Sequence, residues 1–363
     1  MFMRMSNKYT IPIVFACTSI CALILIIMFC HRIDRHDFEI DGIYYKRISE
    51  AQHSVKVTYK GAFPTSYEHE YQKEVVIPRV VSYRGIDYIV TEIDQYAFQD
   101  CSGITNITIP ESIWYIGLGA FDGCTNLSEV HINDLASWCS IALENVSDCT
   151  GSTPFQYADK LCLNGETLTD IVIPQEVTKI NPFVFQDCDS LKTIVLHDGV
   201  TAIGKGAFYG CHNLSSIEMS ENLSYIGRDA FTETAWYENL PDGVVYVGKL
   251  LYEYKGEIPQ NSHIVVKEGI ETICESAFDC RRELTSLTLP TSLVTIHNYA
   301  FNDCRDLTNI YSKAINPPCI NRYYNEYEHN HEIVLYVPIG SKDDYEKTPF
   351  MHYDSIVEID FCK

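Results

Sequence analysis

Residue types that carry out chemistry occur in this chain, but their spacing fits no common catalytic site. The sequence contains no Gly-x-Ser-x-Gly nucleophile elbow, no His-Glu-x-x-His zinc motif and no phosphate-binding glycine loop. His329 and His331 lie between Glu328 and Glu332, a set that would allow a metal site, although a solvated polar loop explains the same residues. We therefore expect no cofactor, no bound metal and no enzymatic activity.

Cysteine is frequent, with 15 among 363 residues, which in a secreted protein first indicates a disulfide framework. Five cysteines instead recur three residues after a phenylalanine, and Cys280 is displaced from that position by one. The five are Cys101, Cys124, Cys188, Cys211 and Cys304. Such a column predicts buried free thiols rather than bridges. If a local disulfide forms, its candidates are Cys139, Cys149 and Cys162, and the absence of Cys-x-x-Cys argues against structural zinc.

The phenylalanines that precede these cysteines mark an internal repeat. Four of the six intervals between successive markers are 23 residues, and the interval from Phe231 to Phe278 is 47. The markers are Phe98, Phe121, Phe185, Phe208, Phe231, Phe278 and Phe301. Isoleucine stands five residues before each marker, and aliphatic residues recur six, nine and eleven residues after most of them, until Ser312 breaks the last column. Each unit is therefore one coil that must stack on its neighbours to bury its apolar side.

Positions nine and eleven after the marker alternate along the chain, so they lie on one face of a short strand. Positions eight and ten then point outward, and their side chains are mostly small and polar. We take these outward positions as the candidate ligand contacts, namely Asn106, Thr108, Glu129, His131, Thr193, Glu218, Thr288 and Tyr311. No residue in this set suggests a particular ligand.

The repeated pattern resembles that of the BspA-like, or treponemal-type, leucine-rich repeat family. It reads CSGITNITIPESIWYIGLGAF from residue 101 and CHNLSSIEMSENLSYIGRDAF from residue 211. The resemblance covers roughly residues 90–312 and implies a right-handed leucine-rich-repeat β-solenoid. It also implies a surface or secreted protein of host-associated bacteria, a group in which some members adhere to host matrix proteins. The family supplies no catalytic residues.

The register divides the chain into four parts. Residues 37–89 are expected to form N-terminal cap strands, residues 90–312 the repeat array, and residues 313–363 a C-terminal cap. Two insertions interrupt the array, at 128–171 and 232–268. In the second, Gly243 and Gly248 bracket an apolar run, which predicts a strand pair protruding from the coil.

Residues 1–36 contain an uncharged apolar run from 11 to 30, with basic residues on both sides. Its length fits a membrane-spanning helix, and its layout also fits a secretory signal peptide. No small-x-small cleavage site is obvious at its end, so an uncleaved signal-anchor is the first interpretation and a cleaved signal the second. Either places the repeats in the cell envelope, surface-exposed or secreted, with membrane contact through this segment only.

The formal net charge of −22 argues against nucleic-acid binding, which depends on cationic side chains that neutralise phosphates. We therefore interpret the chain as a surface-exposed protein that mediates protein binding or adhesion to host or neighbouring cells. Its expected partners are protein ligands such as host matrix or other cell-surface proteins. The alternative is a structural envelope protein without a specific partner, and an enzyme is a more remote one.

Overall fold

The computed structural model describes residues 35–61, 63–64, 71–144, 153–320, 333–347 and 353–362. They form two compact units. The first contains the described residues up to Asn133 and those from Leu143 to Ala158. The second contains Asp134–Ala142 and the described residues from Asp159 onward. The apolar run at 11–30 lies outside the described residues, and within them no helix is long and apolar enough to cross a membrane.

The first unit begins with an antiparallel cap and continues as parallel coils. Its strands are β1 (Phe38–Ile40), β2 (Ile43–Ser49), β3 (Ser54–Thr58), β4 (Gln72–Val76), β5 (Val80–Tyr83), β6 (Ile86–Ile93), β7 (Gly103–Ile109), β8 (Tyr115–Ile116) and β9 (Glu129–Ile132). At β10 (Ala142–Leu143) the chain returns from the second unit to the first. A 3₁₀ helix at Pro154–Gln156 is the last helical element of the first unit. Strand β2 pairs antiparallel with β1 and with β3, whereas β3 with β6, β4 with β7 and β7 with β9 pair in parallel.

The second unit contains three short helices, α1 (Leu135–Cys139), α2 (Ala235–Glu238) and α3 (Lys342–Lys347), among its described residues. Its first strands are β11 (Lys160–Leu163), β12 (Glu166–Thr167), β13 (Asp170–Val172), β14 (Lys179–Ile180), β15 (Thr193–Val195), β16 (Ala202–Ile203), β17 (Ser216–Glu218) and β18 (Tyr225–Ile226). The remainder are β19 (Gly243–Val247), β20 (Leu250–Lys255), β21 (Ser262–Val265), β22 (Thr272–Ile273), β23 (Leu284–Leu289), β24 (Thr295–Ile296), β25 (Asn309–Ser312), β26 (Cys319–Ile320), β27 (Val334–Pro338) and β28 (Ser355–Ile359).

Residues 23 positions apart pair in parallel in both units. In the first unit Ile107 lies opposite Val130, and in the second Ile194 lies opposite Ile217. The same register repeats at the isoleucine five residues before the marker, where Ile180 lies opposite Ile203. The predicted β-solenoid with coils of about 23 residues is therefore confirmed.

The marker phenylalanines form stacks inside the coils. The ring centroids of Phe185 and Phe208 are 5.2 Å apart with the planes inclined by 3°, and those of Phe208 and Phe231 are 5.6 Å apart at 1°. Phe98 with Phe121 in the first unit shows a similar parallel stack at 5.4 Å. These rings are at most 2% exposed. Burial of one such side chain contributes about 1.5–3 kcal/mol to stability. Because the rings are buried against those of adjacent coils, each coil is stabilised mainly by its neighbours.

The cysteines of the column lie beside this stack, and their thiols donate hydrogen bonds to the preceding coil. The thiol of Cys211 donates to the carbonyl oxygen of Phe185 at 2.9 Å, and that of Cys304 donates to Phe278 at 3.0 Å. A small side chain with a weak donor thus satisfies a carbonyl of the preceding coil. All eleven described cysteines are free thiols. Cys139 and Cys162 are among them, so no disulfide joins these two candidates, and Cys149 lies outside the described residues.

Two positions in each coil adopt the left-handed conformation, a feature that the hydrophobic pattern does not reveal. They lie two residues before and two residues after the marker phenylalanine. The residues before it are Tyr96, Gly119, Phe183, Gly206, Asp229, Ser276 and Tyr299, and those after it are Asp100, Gly123, Asp187, Gly210, Glu233, Cys280 and Asp303. Glycine and aspartate tolerate this conformation best, which explains their frequency here. Cys280 occupies one of these turn positions and is exposed, so it is not part of the thiol column.

The second insertion differs from its expected form. Its two strands do form an antiparallel hairpin, β19 with β20. However, β20 also pairs in parallel with β22, where Leu250 lies opposite Thr272, and Leu250 and Leu251 are buried. The expectation of a protruding pair was wrong because the apolar side chains of β20 take the place of a coil strand. Lys255 at the end of β20 donates to the carbonyl oxygens of Tyr237, Glu238 and Leu240 beside α2.

The C-terminal helix explains the one polar residue of the aliphatic column. Ser312 is fully buried, and its hydroxyl lies 2.7 Å from the hydroxyl of Tyr345 on α3. Tyr345 also donates to the carbonyl oxygen of Ala314 at 2.8 Å. The tyrosine of this helix requires a polar partner where earlier coils have leucine, isoleucine or methionine.

We expect the buried thiols to resist alkylation in the native protein. Only the thiolate reacts, and burial raises the pKa of Cys188 and of Cys304 to about 12. Iodoacetamide at neutral pH, mapped by mass spectrometry, should modify the exposed Cys319 and Cys362 first and Cys188 only after unfolding. Native labelling of Cys188 as fast as that of Cys319 would contradict the thiol column.

We expect Gly227→Ala to destabilise the second unit by about 1–3 kcal/mol, because a Cβ at this position would lie 2.4 Å from the backbone nitrogen of Lys205 in the preceding coil. Gly103→Ala is the matched control, since its Cβ would meet only the flexible side chain of Gln72. Urea unfolding of both variants measures the difference. Equal midpoints would show that the coils are not packed this closely.

Candidate protein-binding face

The candidate contacts in the first unit lie on its parallel sheet of β4, β7 and β9. Asn106 lies opposite Glu129, and Thr108 lies opposite His131. All four side chains are half-buried. Nε2 of His131 is 3.2 Å from a carboxylate oxygen of Glu129. This surface is small and polar, and it continues onto β4 through Glu74 and Val76, which lie opposite Asn106 and Thr108.

The next outward face belongs to β13, β15 and β17 of the second unit. Thr193 on β15 donates to a carboxylate oxygen of Asp170 at 2.5 Å, and Thr169 donates to the other oxygen at 2.7 Å. These two hydrogen bonds hold the pKa of Asp170 below its ordinary value. Glu218 on β17 is exposed. Val172 on β13 is 65% exposed and lies opposite Val195, so this face combines carboxylates with exposed aliphatic side chains but has no aromatic residue in these rows.

The sheet formed by β21, β23, β25, β27 and β28 is different, because one of its outward rows is apolar and aromatic. The register aligns five residues across it, and we name this set the aromatic row: Val265, Thr288, Tyr311, Tyr336 and Val357. The rings of Tyr311 and Tyr336 stack with centroids 4.5 Å apart and planes inclined by 11°. The ring of His263 meets Tyr311 edge-on at 5.9 Å.

Thr288 contributes less surface than its place in the row suggests. Its Oγ1 lies 3.1 Å from Nε2 of His263, and only 9% of the residue is exposed. Val265 and Val357 at the two ends are exposed. Every member of the row is uncharged, on a chain whose formal net charge is −22. Protein interfaces are enriched in tyrosine and depleted in charge at their centre, so this row has the composition of an interface core.

Only Tyr311 and Thr288 of the row were among the candidate contacts. Val265 belongs to a coil whose marker phenylalanine is replaced by the second insertion, and Tyr336 follows Tyr311 by 25 residues instead of 23. The repeat register therefore excluded them. Strand β27 could have been found from its alternation of half-buried and buried residues. Val334, Tyr336 and Pro338 are half-buried, and Leu335 and Val337 between them are buried. The histidine and glutamate set at 328–332 lies outside the described residues.

The repeat pattern described as "BspA type Leucine rich repeat region" matches the chain in six copies, within residues 91–161, 156–261 and 239–317. These ranges cover more than half of the chain. The chain belongs to the BspA-type leucine-rich repeat family. The match includes most of the coils described above and the strands β7, β9, β15, β17, β23 and β25 that carry the candidate contacts.

Several solved structures resemble this BspA-type protein at low identity. A leucine-rich repeat protein from Bacteroides ovatus is 20% identical with a TM-score of 0.40, and the match covers 89% of this chain and 100% of the other. The pneumococcal vaccine antigen PcpA is 16% identical with a TM-score of 0.31, covering 89% and 98%. A leucine-rich repeat protein of T. pallidum is 16% identical with a TM-score of 0.25, covering 88% and 97%. No match was found among curated protein sequences.

We expect the outward tyrosine of β27 to contribute little to the stability of this BspA-type protein. Tyr336→Thr keeps a β-forming residue and removes one cross-strand aromatic pair, which is worth roughly 0.2–1 kcal/mol. Leu335→Ala, the adjacent inward residue, is buried and should cost about 2–5 kcal/mol. Urea unfolding of the two variants makes the comparison. A larger loss for Tyr336→Thr would mean that the row is part of the core.

Proposed function

We propose that this protein binds protein ligands at the cell surface, and that the aromatic row is its principal contact. The observation that carries the proposal is the stacked pair Tyr311 and Tyr336 on an uncharged outward row. Side chains at inward positions pack in the core of the coil, whereas side chains at outward positions can vary without loss of the fold. A large aromatic pair at such positions has no role in the core of the coil.

The stacked arrangement favours a protein over a carbohydrate as the ligand. Tyr311 and Tyr336 each cover one ring face of the other, and His263 lies edge-on to Tyr311. Sugar recognition by stacking needs an open ring face, whereas a protein surface can pack on ring edges and accept hydrogen bonds from the hydroxyls. The rings are already ordered, so binding costs little side-chain entropy.

The location that we propose rests on the family and on the sequence of the N-terminal segment. Surface exposure fits an acidic, soluble array of coils. Attachment of the protein to a membrane through residues 11–30, and adhesion to host or neighbouring cells as the purpose of binding, are part of the same proposal. The proposed activity is binding without catalysis.

A capture assay with the full-length protein tests the proposal. The immobilised protein is exposed to a panel of purified extracellular matrix proteins and to intact host and bacterial cells. We expect Tyr311→Ala/Tyr336→Ala to weaken capture by about 30-fold, equivalent to a loss of about 2 kcal/mol at an aromatic hot spot. Thr193→Ala/Ser216→Ala, on the outward face of β15 and β17, is the matched control and should bind as the unmodified protein does.

Two results would count against the proposal. Equal loss in both double variants would show that the aromatic row is not the principal contact. Capture of no panel member by the folded protein, together with envelope defects in cells that lack it, would favour the structural envelope role instead.

A further inference from the structure

The first unit contains a cleft of about 720 Å³ that none of the predicted contacts explains. It lies between the turn that joins β1 to β2, strand β4 and strand β5. Its inner wall includes Ile43, Tyr45, Tyr71 and Val81, all of which are otherwise buried. The volume is within the range of ligand-binding pockets, roughly 300–1,000 Å³, so the cleft is large enough for a side chain and its neighbours.

The charge of the cleft has one sign. Asp41 and Glu74 line it, with the neutral polar residues Gln72 and Ser82, and no lysine, arginine or histidine is among its lining residues. Both carboxylates are on exposed residues, and neither forms an ion pair with a basic side chain of the described residues. Burial, and secondly the charge of Asp41, raises the pKa of Tyr45 far above its ordinary value, so the field of this carboxylate reaches the inner wall.

The rim of the cleft is also apolar. Val76 is 53% exposed and Val80 is 41% exposed. Glu74 and Val76 lie opposite Asn106 and Thr108, so the cleft opens at the edge of the outward rows of the first unit. A ligand that enters the cleft can therefore continue along an exposed sheet face, which is the arrangement that suits an extended chain rather than an isolated small molecule.

We propose that this cleft binds a lysine or arginine side chain of an extended polypeptide segment, with the apolar neighbours of that side chain packed against Val76 and Val80. The cation pairs with Asp41 and Glu74, and these contacts favour a positive charge over a neutral side chain of the same shape. The site is in the first unit and uses no residue of the aromatic row. The proposal of this site can therefore be tested independently of the proposed function.

Neutral substitutions can remove the two charges without disturbing the fold. Asp41 and Gly42 both have positive φ, 51° and 79°, in a two-residue hairpin turn, and asparagine followed by glycine suits that turn at least as well. Glu74 is exposed on β4, so Glu74→Gln keeps the length and polarity of the side chain. Glu39→Gln/Glu166→Gln removes the same net charge at two exposed residues that do not line the cleft.

The test is calorimetric titration of the full-length protein with an acetylated and amidated peptide of alternating valine and arginine. Its counterpart with citrulline has the same shape without the charge, and arginine amide tests whether the side chain alone is enough. We expect the arginine peptide to bind at least 10-fold more tightly than either. Asp41→Asn/Glu74→Gln should weaken it by about 10-fold, because two ion pairs are lost and the cleft partly shields them from solvent. The control double variant should change affinity by less than 2-fold.

Higher NaCl should weaken binding of the arginine peptide to the unmodified protein and leave the citrulline peptide unaffected. Equal binding of the two peptides would overturn the proposal, as would equal loss in the cleft and control variants or no binding of the arginine peptide at millimolar concentration. Arginine amide that binds as tightly as the peptide would overturn the polypeptide as occupant.

Discussion

The structure depends on one constraint, which is that each coil must lie on the next with its backbone in register. The amide of Phe208 donates to the carbonyl oxygen of Ala230 at 2.9 Å, and the amide of Phe98 donates to Ala120 at 2.8 Å. These bonds join a marker phenylalanine to the alanine just before the marker of the next coil. Where the period is 23 residues, the bond recurs at the same place in successive coils and satisfies the buried amide of the phenylalanine.

The same constraint separates the positions that are fixed from those that are free. Close approach of the coils leaves no room for a Cβ at Gly204 and Gly227, and it brings the thiol of Cys211 within hydrogen-bonding distance of a carbonyl oxygen of the preceding coil. Ser312 departs from the aliphatic column only because the cap helix brings the hydroxyl of Tyr345 to it. Outward side chains contact only their counterparts on neighbouring strands and not the core of the coil, so the core packing neither limits them to small polar residues nor excludes tyrosine.

The sequence predicts the parts of the structure that repeat and misses the parts that occur once. Phenylalanine, isoleucine and cysteine columns identify the coils because each residue type is required at the same place many times. The left-handed positions on both sides of the marker phenylalanine carry glycine, aspartate, tyrosine, phenylalanine, serine, glutamate and cysteine, and a conformation shared by such different side chains leaves no pattern of hydrophobicity. Tyr336 was missed because β27 follows a connection of irregular length, although its contact with Tyr311 is as regular as any in the core.

The contrast between the two surfaces follows from where each one lies along its sheet. The aromatic row is built across five paired strands, so its side chains are held at the strand spacing and their order is fixed by register. The cleft lies where the antiparallel cap meets the first parallel coil, and strands that change direction there leave a gap that regular stacking does not allow. A rigid neutral row suits a large, shape-complementary partner, whereas an acidic gap suits a single cationic group. The exposed side chains of both surfaces are not needed for packing between coils, and this is the basis on which we propose them as contact sites.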